Sequence, residues 1–151
     1  MDKTKAIEKP TLPCPCEMLI PHRPPMLLID QLIRRSDTEA EAITSLQEKS
    51  PFIDPNKGIL PEIFIEIIAQ TTAAANGFDG LINNKKPNAG FLVGLDEFSL
   101  TSRPFSECQL RAEIKKMFKF GDITIFQGKL FSGEFLLAAG KIQIWEDHKE
   151  A

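Results

Sequence analysis

The chain has 151 residues, enough for one domain with its own core. Its 42% hydrophobic and 26% charged residues are ordinary globular values, and a net charge of −3 leaves no basic footprint for nucleic acid. No apolar run approaches the ~20 residues of a membrane span, and Met1-Asp2-Lys3-Thr4-Lys5 does not lead into the apolar stretch of a secretory signal. A cytoplasmic protein that binds neither membrane nor nucleic acid is expected.

Residues 1–17 hold Pro10, Pro13 and Pro15 with little periodicity and read as an arm. Cys14, Cys16 and Cys108 lack the spacing of a zinc site and read as free thiols, so no metal is expected. Met26 to Arg34 is a strand candidate. Thr38 to Leu46 is a second, with Ala40, Ala42 and Thr44 alternating against Glu39, Glu41 and Ile43. A turn-rich stretch, Ser50 to Gly58, follows.

A helix is predicted from Pro61, suited to a first helical position, to Gly77, suited to a helix end. Nearly every side chain between them is apolar or small, which predicts burial on most sides. The polar exceptions, Glu62, Glu66 and Gln70, fall four apart and stack on one stripe. Glu66 is expected to be a buried carboxylate, which needs a partner or a proton and often has a chemical role. Glu62 reads as an acid favoured by the helix dipole.

After a polar loop at 83–88, four strands are expected: Gly90–Leu100, Cys108–Phe120, Ile123–Phe131 and Glu134–Trp145. Leu110, Ala112 and Ile114 alternate with Arg111, Glu113 and Lys115 as in a half-buried strand. Gly121-Asp122 and Ser132-Gly133 are the expected hairpin turns. The predicted organisation is therefore an arm at 1–17, one domain at 18–147 and a charged tail at 148–151. Its class is α+β, a four-stranded meander and two further strands curled around one helix.

Several segments resemble the FabA/FabZ-type 3-hydroxyacyl-acyl carrier protein dehydratases. Ile20-Pro21-His22-Arg23-Pro24-Pro25-Met26-Leu27-Leu28-Ile29-Asp30 resembles their opening motif, and Leu60-Pro61 through Glu66-Ile67-Ile68-Ala69-Gln70 their helix motif. Gly90 to Phe98 and Ser102-Arg103-Pro104-Phe105 resemble the strand that follows and its continuation. Pro51-Phe52-Ile53-Asp54 and Glu66 to Thr71 are most similar to the ApeP-like branch, from aryl polyene gene clusters. The resemblance implies a hotdog fold, paired with a second hotdog in a homodimer or heterodimer. It implies removal of water from a 3-hydroxyacyl thioester to give the trans-2-enoyl thioester. No cofactor is implied, because the substrate rides on the phosphopantetheine of an acyl carrier protein or on CoA.

Two departures qualify this expectation. The family's catalytic His lies in a "GHFPG" loop, where this chain has Asp54-Pro55-Asn56-Lys57-Gly58. The family's helix begins with Pro-Gly, where this chain has Leu60-Pro61-Glu62. Glu66 carries over as a catalytic acid; the missing loop His is replaced either by His22 or by a His that a second hotdog protein donates to a shared site. Gln70, Ile63, Gly94 and Arg103 are the substrate-binding candidates, with Gln70 also placed to orient Glu66. Arg23 and Asp30 read as a structural ion pair. Arg103 with Lys115, Lys116 and Lys119 could meet an acidic carrier or a pantetheine phosphate.

The deficit in His keeps two other readings open. One is a hotdog thioesterase, in which a helix carboxylate activates water without His. The other is a non-catalytic acyl-binding subunit of a heterodimer.

Overall fold

The structure, a computed structural model, describes residues 9–46, 51–54, 56, 58–86, 90–100 and 109–147. Nine strands and one long helix follow one another: β1 (Cys14–Pro15), β2 (Gln31–Arg35), β3 (Glu39–Ser45), β4 (Ile53–Asp54), β5 (Gly58–Ile59), α1 (Pro61–Ile82), β6 (Gly90–Leu100), β7 (Gln109–Phe120), β8 (Ile123–Ser132) and β9 (Phe135–Glu146). Seven strands form one antiparallel sheet in the order β1-β2-β3-β7-β8-β9-β6, and β4 pairs with β5. The expected α+β sheet around one helix is the architecture observed.

Period-two alternation sorts the sheet into faces. Ala40, Ala42 and Thr44 on β3, and Leu110, Ala112 and Ile114 on β7, are buried under α1. Small residues on β3 leave room for Phe64, Ile67 and Ile68 of the helix, all fully buried. Closer approach comes from Gly128 and Gly140, which sit opposite each other on β8 and β9. Ile68 lies where a side chain at Gly128 would be, and Phe98 covers Gly140. The outer face carries ions instead: Arg34 with Glu39 and Glu41, and Arg111 with Glu41 and Glu113. Burial, with Glu113 beside it, pushes the Glu41 carboxyl up.

The structure corrects five expectations about the fold. The described part of the arm belongs to the core, because β1 pairs with β2 and Cys14 and Cys16 are buried free thiols. Burial pushes the Cys16 thiol up to about 12. The strand expected at Met26–Arg34 begins only at Gln31, because the backbone at 26 and 28 bonds to a helix side chain instead. The helix does not stop at Gly77 but runs to Ile82, and Asn84 takes the positive φ that follows it. The four late strands are not a simple meander. β3 occupies the edge of β7, so β6 lies at the far side, beyond β9. The β8–β9 turn falls on Gly133 and Glu134, with φ +59° at the glycine.

Gly77 has a packing role. A β-carbon there would press on the backbone of Leu19, 2.9 Å from its carbonyl carbon. A further tie fixes the helix end: Arg35 Nε and Nη2 donate to the two Asp79 carboxylate oxygens at 3.0 and 2.6 Å. Alanine at Gly77 should gain about 1 kcal/mol of helix propensity. It should lose more to overpacking against rigid backbone, a cost of about 1–3 kcal/mol. We therefore expect Gly77→Ala to lower the denaturant midpoint without changing the m-value.

Candidate functional site

Gln70 lies two turns inside α1 and is 1% exposed. Its Oε1 accepts the Leu28 N–H at 2.9 Å, and its Nε2 donates to the Met26 carbonyl at 2.8 Å. The same Nε2 donates to Glu66 Oε1 at 2.9 Å, one helical turn earlier. One amide therefore serves as strand neighbour for the segment 26–28 and as orienting donor for the carboxylate. Thr44 completes that segment by donating its hydroxyl to the Leu28 carbonyl.

The segment immediately before Met26 presents His22. Arg23 holds it by donating to the carbonyls of Ile20 (3.0 Å) and His22 (2.7 Å). The expected Arg23–Asp30 ion pair is not formed; Asp30 accepts the Ser45 N–H at 2.8 Å instead. His22 Nε2 lies 4.0 Å from Glu66 Oε1. His22 Nδ1 is buried with no hydrogen-bond partner among the described residues.

Glu66 is not the buried acid its sequence context suggests. Its side chain is 41% exposed and Glu62 one turn earlier is exposed, whereas Gln70 one turn later is covered by the segment 26–28. Ile63 is buried one turn before it. Gly94 stands apart: it pairs with Gln143 on the outer face of β6, so it does not line the helix side of the sheet. Arg103 lies outside the described residues, as does His148. The lysine cluster is split, with Lys115 on the outer face and Lys116 and Lys119 on the other. At the helix start, Pro61 has no N–H, and Ile63 gives its N–H to Leu60 at 3.0 Å. No helix among the described residues is long and apolar enough to cross a membrane.

Comparison with known proteins defines the class. The dehydratase heterocomplex ApeI:P from Xenorhabdus doucetiae has the same fold, with a TM-score of 0.80 at 20% identity over 89% of this chain and 92% of that one. A hypothetical thioesterase with coenzyme A from Streptococcus pneumoniae aligns with a TM-score of 0.63 at 6% identity, over 80% of this chain and 87% of that one. The fold is thus the hotdog. The chain belongs to the ApeP-like family, whose ApeP dehydratase model matches residues 14–151. It is also 30% identical to the 3-hydroxyacyl-[acyl-carrier-protein] dehydratase FabZ of Streptococcus mutans over 130 residues, 82% of this chain and 89% of that protein.

Replacing Gln70 by Leu keeps the volume but leaves the Leu28 N–H and the Met26 carbonyl without their partner. The Leu28 N–H is the buried orphan, the Met26 carbonyl being part-buried, so the loss should be roughly 1–3 kcal/mol. Equilibrium denaturation of Gln70→Leu, beside the wild type, checks this.

Proposed function

We propose that this chain is a 3-hydroxyacyl thioester dehydratase, with Glu66 and His22 as the proton-handling pair. The observation that carries the reading is the 4.0 Å separation of His22 Nε2 and Glu66 Oε1 within one chain. His22 thus stands in for the histidine missing from the loop at 54–58. The reaction removes the C2 proton and expels the C3 hydroxyl as water, leaving the trans-2-enoyl thioester. It needs one group to accept a proton and one to release one, and the two side chains of the pair can do both. Gln70 fixes the carboxylate, and Arg23 fixes the loop that carries the imidazole. The substrate rides on an acyl carrier protein or CoA, as the likeness to FabZ suggests.

Pairing with a second hotdog chain completes this reading. Leu92 and Leu95 of β6 share the inner face with buried Ile144 and Ile142, yet they are 42% and 45% exposed. β6 is also the edge strand of the sheet, with unpaired backbone on its outer side. A partner strand along β6 would satisfy that edge, and the partner's helix would cover the two leucines. The partner is a second copy or another hotdog protein.

The test is turnover of a 3-hydroxyacyl carrier-protein substrate, followed by enoyl product and, separately, by free thiol. Glu66→Gln and His22→Ala should each lower dehydration by about 100-fold or more, the usual weight of an acid–base group. Full activity in Glu66→Gln would remove the acid from the mechanism. Thiol release without enoyl product would make the protein a thioesterase. Leu92→Glu with Leu95→Glu should reduce a two-chain species to single chains in sedimentation velocity.

A further inference from the structure

Beyond Lys115 the sheet loses a strand. β3 pairs with β7 as far as Glu39 opposite Lys115, and the Lys116 N–H adds one bond to the Thr38 carbonyl at 2.7 Å. From there β7 runs on to Phe120 with only β8 beside it, and every residue from Lys115 to Asp122 is exposed. The β7–β8 hairpin therefore projects past the end of β3. Its sequence, Lys115-Lys116-Met117-Phe118-Lys119-Phe120-Gly121-Asp122, sets three cations among three large apolar side chains. Met117, Phe118 and Phe120 are 44%, 58% and 78% exposed.

A bulge between Lys116 and Phe118 sorts these side chains, because residues opposite each other across an antiparallel ladder share a face. Lys116 lies opposite buried Phe126 and Lys119 opposite buried Thr124, on the inner face. Phe118 and Phe120 lie opposite Ile125 and Ile123, on the outer face. There the apolar surface continues from Ile123 to Trp145 and on to Phe91, whose ring centroid is 5.9 Å from that of Trp145. On the inner side, the Glu146 N–H reaches the Asp122 carbonyl at 3.0 Å. Glu146 in turn lines a cleft with Asn83, Lys85 and Lys86, just past the end of α1, and both lysines are exposed. One end of the molecule thus carries aromatic rings on one side and lysines on the other.

We propose that this end rests on an anionic lipid bilayer, with Phe118 and Phe120 in the headgroup layer and the lysines against lipid phosphates. Aromatic rings, tryptophan above all, are suited to the boundary between water and hydrocarbon. Lysines near an anionic leaflet are drawn to it, and their long stems let them flank rings that enter deeper. The charge is placed accordingly. The hairpin holds three lysines against Asp122, and the helix end adds Lys85 and Lys86; the acids bordering them are Asp37, Glu146 and Asp147. This end is thus positive in a chain whose net charge is −3. An acidic protein would be met by the lysines alone and gives the exposed rings nothing to enter. The contact departs from the expectation that the chain meets no membrane, which rested on the lack of a spanning segment. Glu66 lies roughly 25 Å along α1 from Ile82 at this end, so the contact is independent of the proposed proton-handling pair.

Trp145 is the one tryptophan of the chain, so its emission reports on this surface. The full chain should co-sediment with phosphatidylcholine–phosphatidylglycerol vesicles, with a blue shift of Trp145 emission, and should ignore phosphatidylcholine alone. Each lysine near the surface is worth roughly 5-fold in affinity, so Lys115→Gln with Lys116→Gln should weaken binding by about 20–30-fold. Added salt should weaken the wild type more than that variant. Phe118→Ser with Phe120→Ser should weaken binding by about 10-fold or more. All four side chains are exposed, so circular dichroism and the denaturant midpoint should stay unchanged. Wild type left in the supernatant at low salt overturns the proposal, as does undiminished binding of the phenylalanine variant. Equal binding to phosphatidylcholine alone overturns the part given to the lysines. Self-association in sedimentation velocity without vesicle binding, lost in the phenylalanine variant, overturns the proposal in favour of a contact between proteins.

Discussion

The buried amide of Gln70 is the interaction on which the remainder of the site depends. The stretch at 26–28 leaves a turn closed on the Arg23 carbonyl and runs beside a helix rather than beside a strand, so the Leu28 N–H and the Met26 carbonyl need partners no ladder supplies. Gln70 provides an acceptor for Leu28 and a donor for Met26, and turns its remaining N–H toward Glu66. The segment before it carries His22, so the same contact sets both halves of the pair. Backbone satisfaction and site geometry are here one constraint, and the helix and the loop cannot shift independently.

Much of this was legible in the sequence because it follows from period and spacing. The alternation of Leu110, Ala112 and Ile114 marked β7, and the four-residue spacing of Glu66 and Gln70 placed them in contact. The motif around His22 brought a histidine 44 positions away to the same helix face. What could not be read was the third dimension. Gly77 resembles a helix terminator, and only the Leu19 backbone lying against it shows a packing role. Glu66 sits among apolar neighbours in sequence, yet its side chain is partly exposed where that of Gln70, on the same stripe, is buried. Cys14 and Cys16 look like part of a proline-rich arm until β2 pairs with them.

The exposed inner-face leucines of β6 follow from the width of the sheet. A sheet of seven strands is wider than one helix can cover, so its last strand remains half wet on the inside. On the outside, a bulge of β7 between Lys116 and Phe118 turns Phe118 and Phe120 outward at one end, while the ion pairs of Arg111 with Glu41 and Glu113 lie further along the strand. Among the described residues the single chain is therefore complete in its core and open along one edge.

The facing glycines at 128 and 140 have a consequence for the chemistry. They leave a shallow trough in the sheet, and Ile68 settles into it. Two residues before Ile68 is Glu66, so a helix lifted at Ile68 would carry the carboxylate with it. In an evolving lineage, a methyl group gained at position 128 would act as a spacer, lifting the acid away from His22 from behind. Such a change would leave every polar group of the pair intact and still detune it.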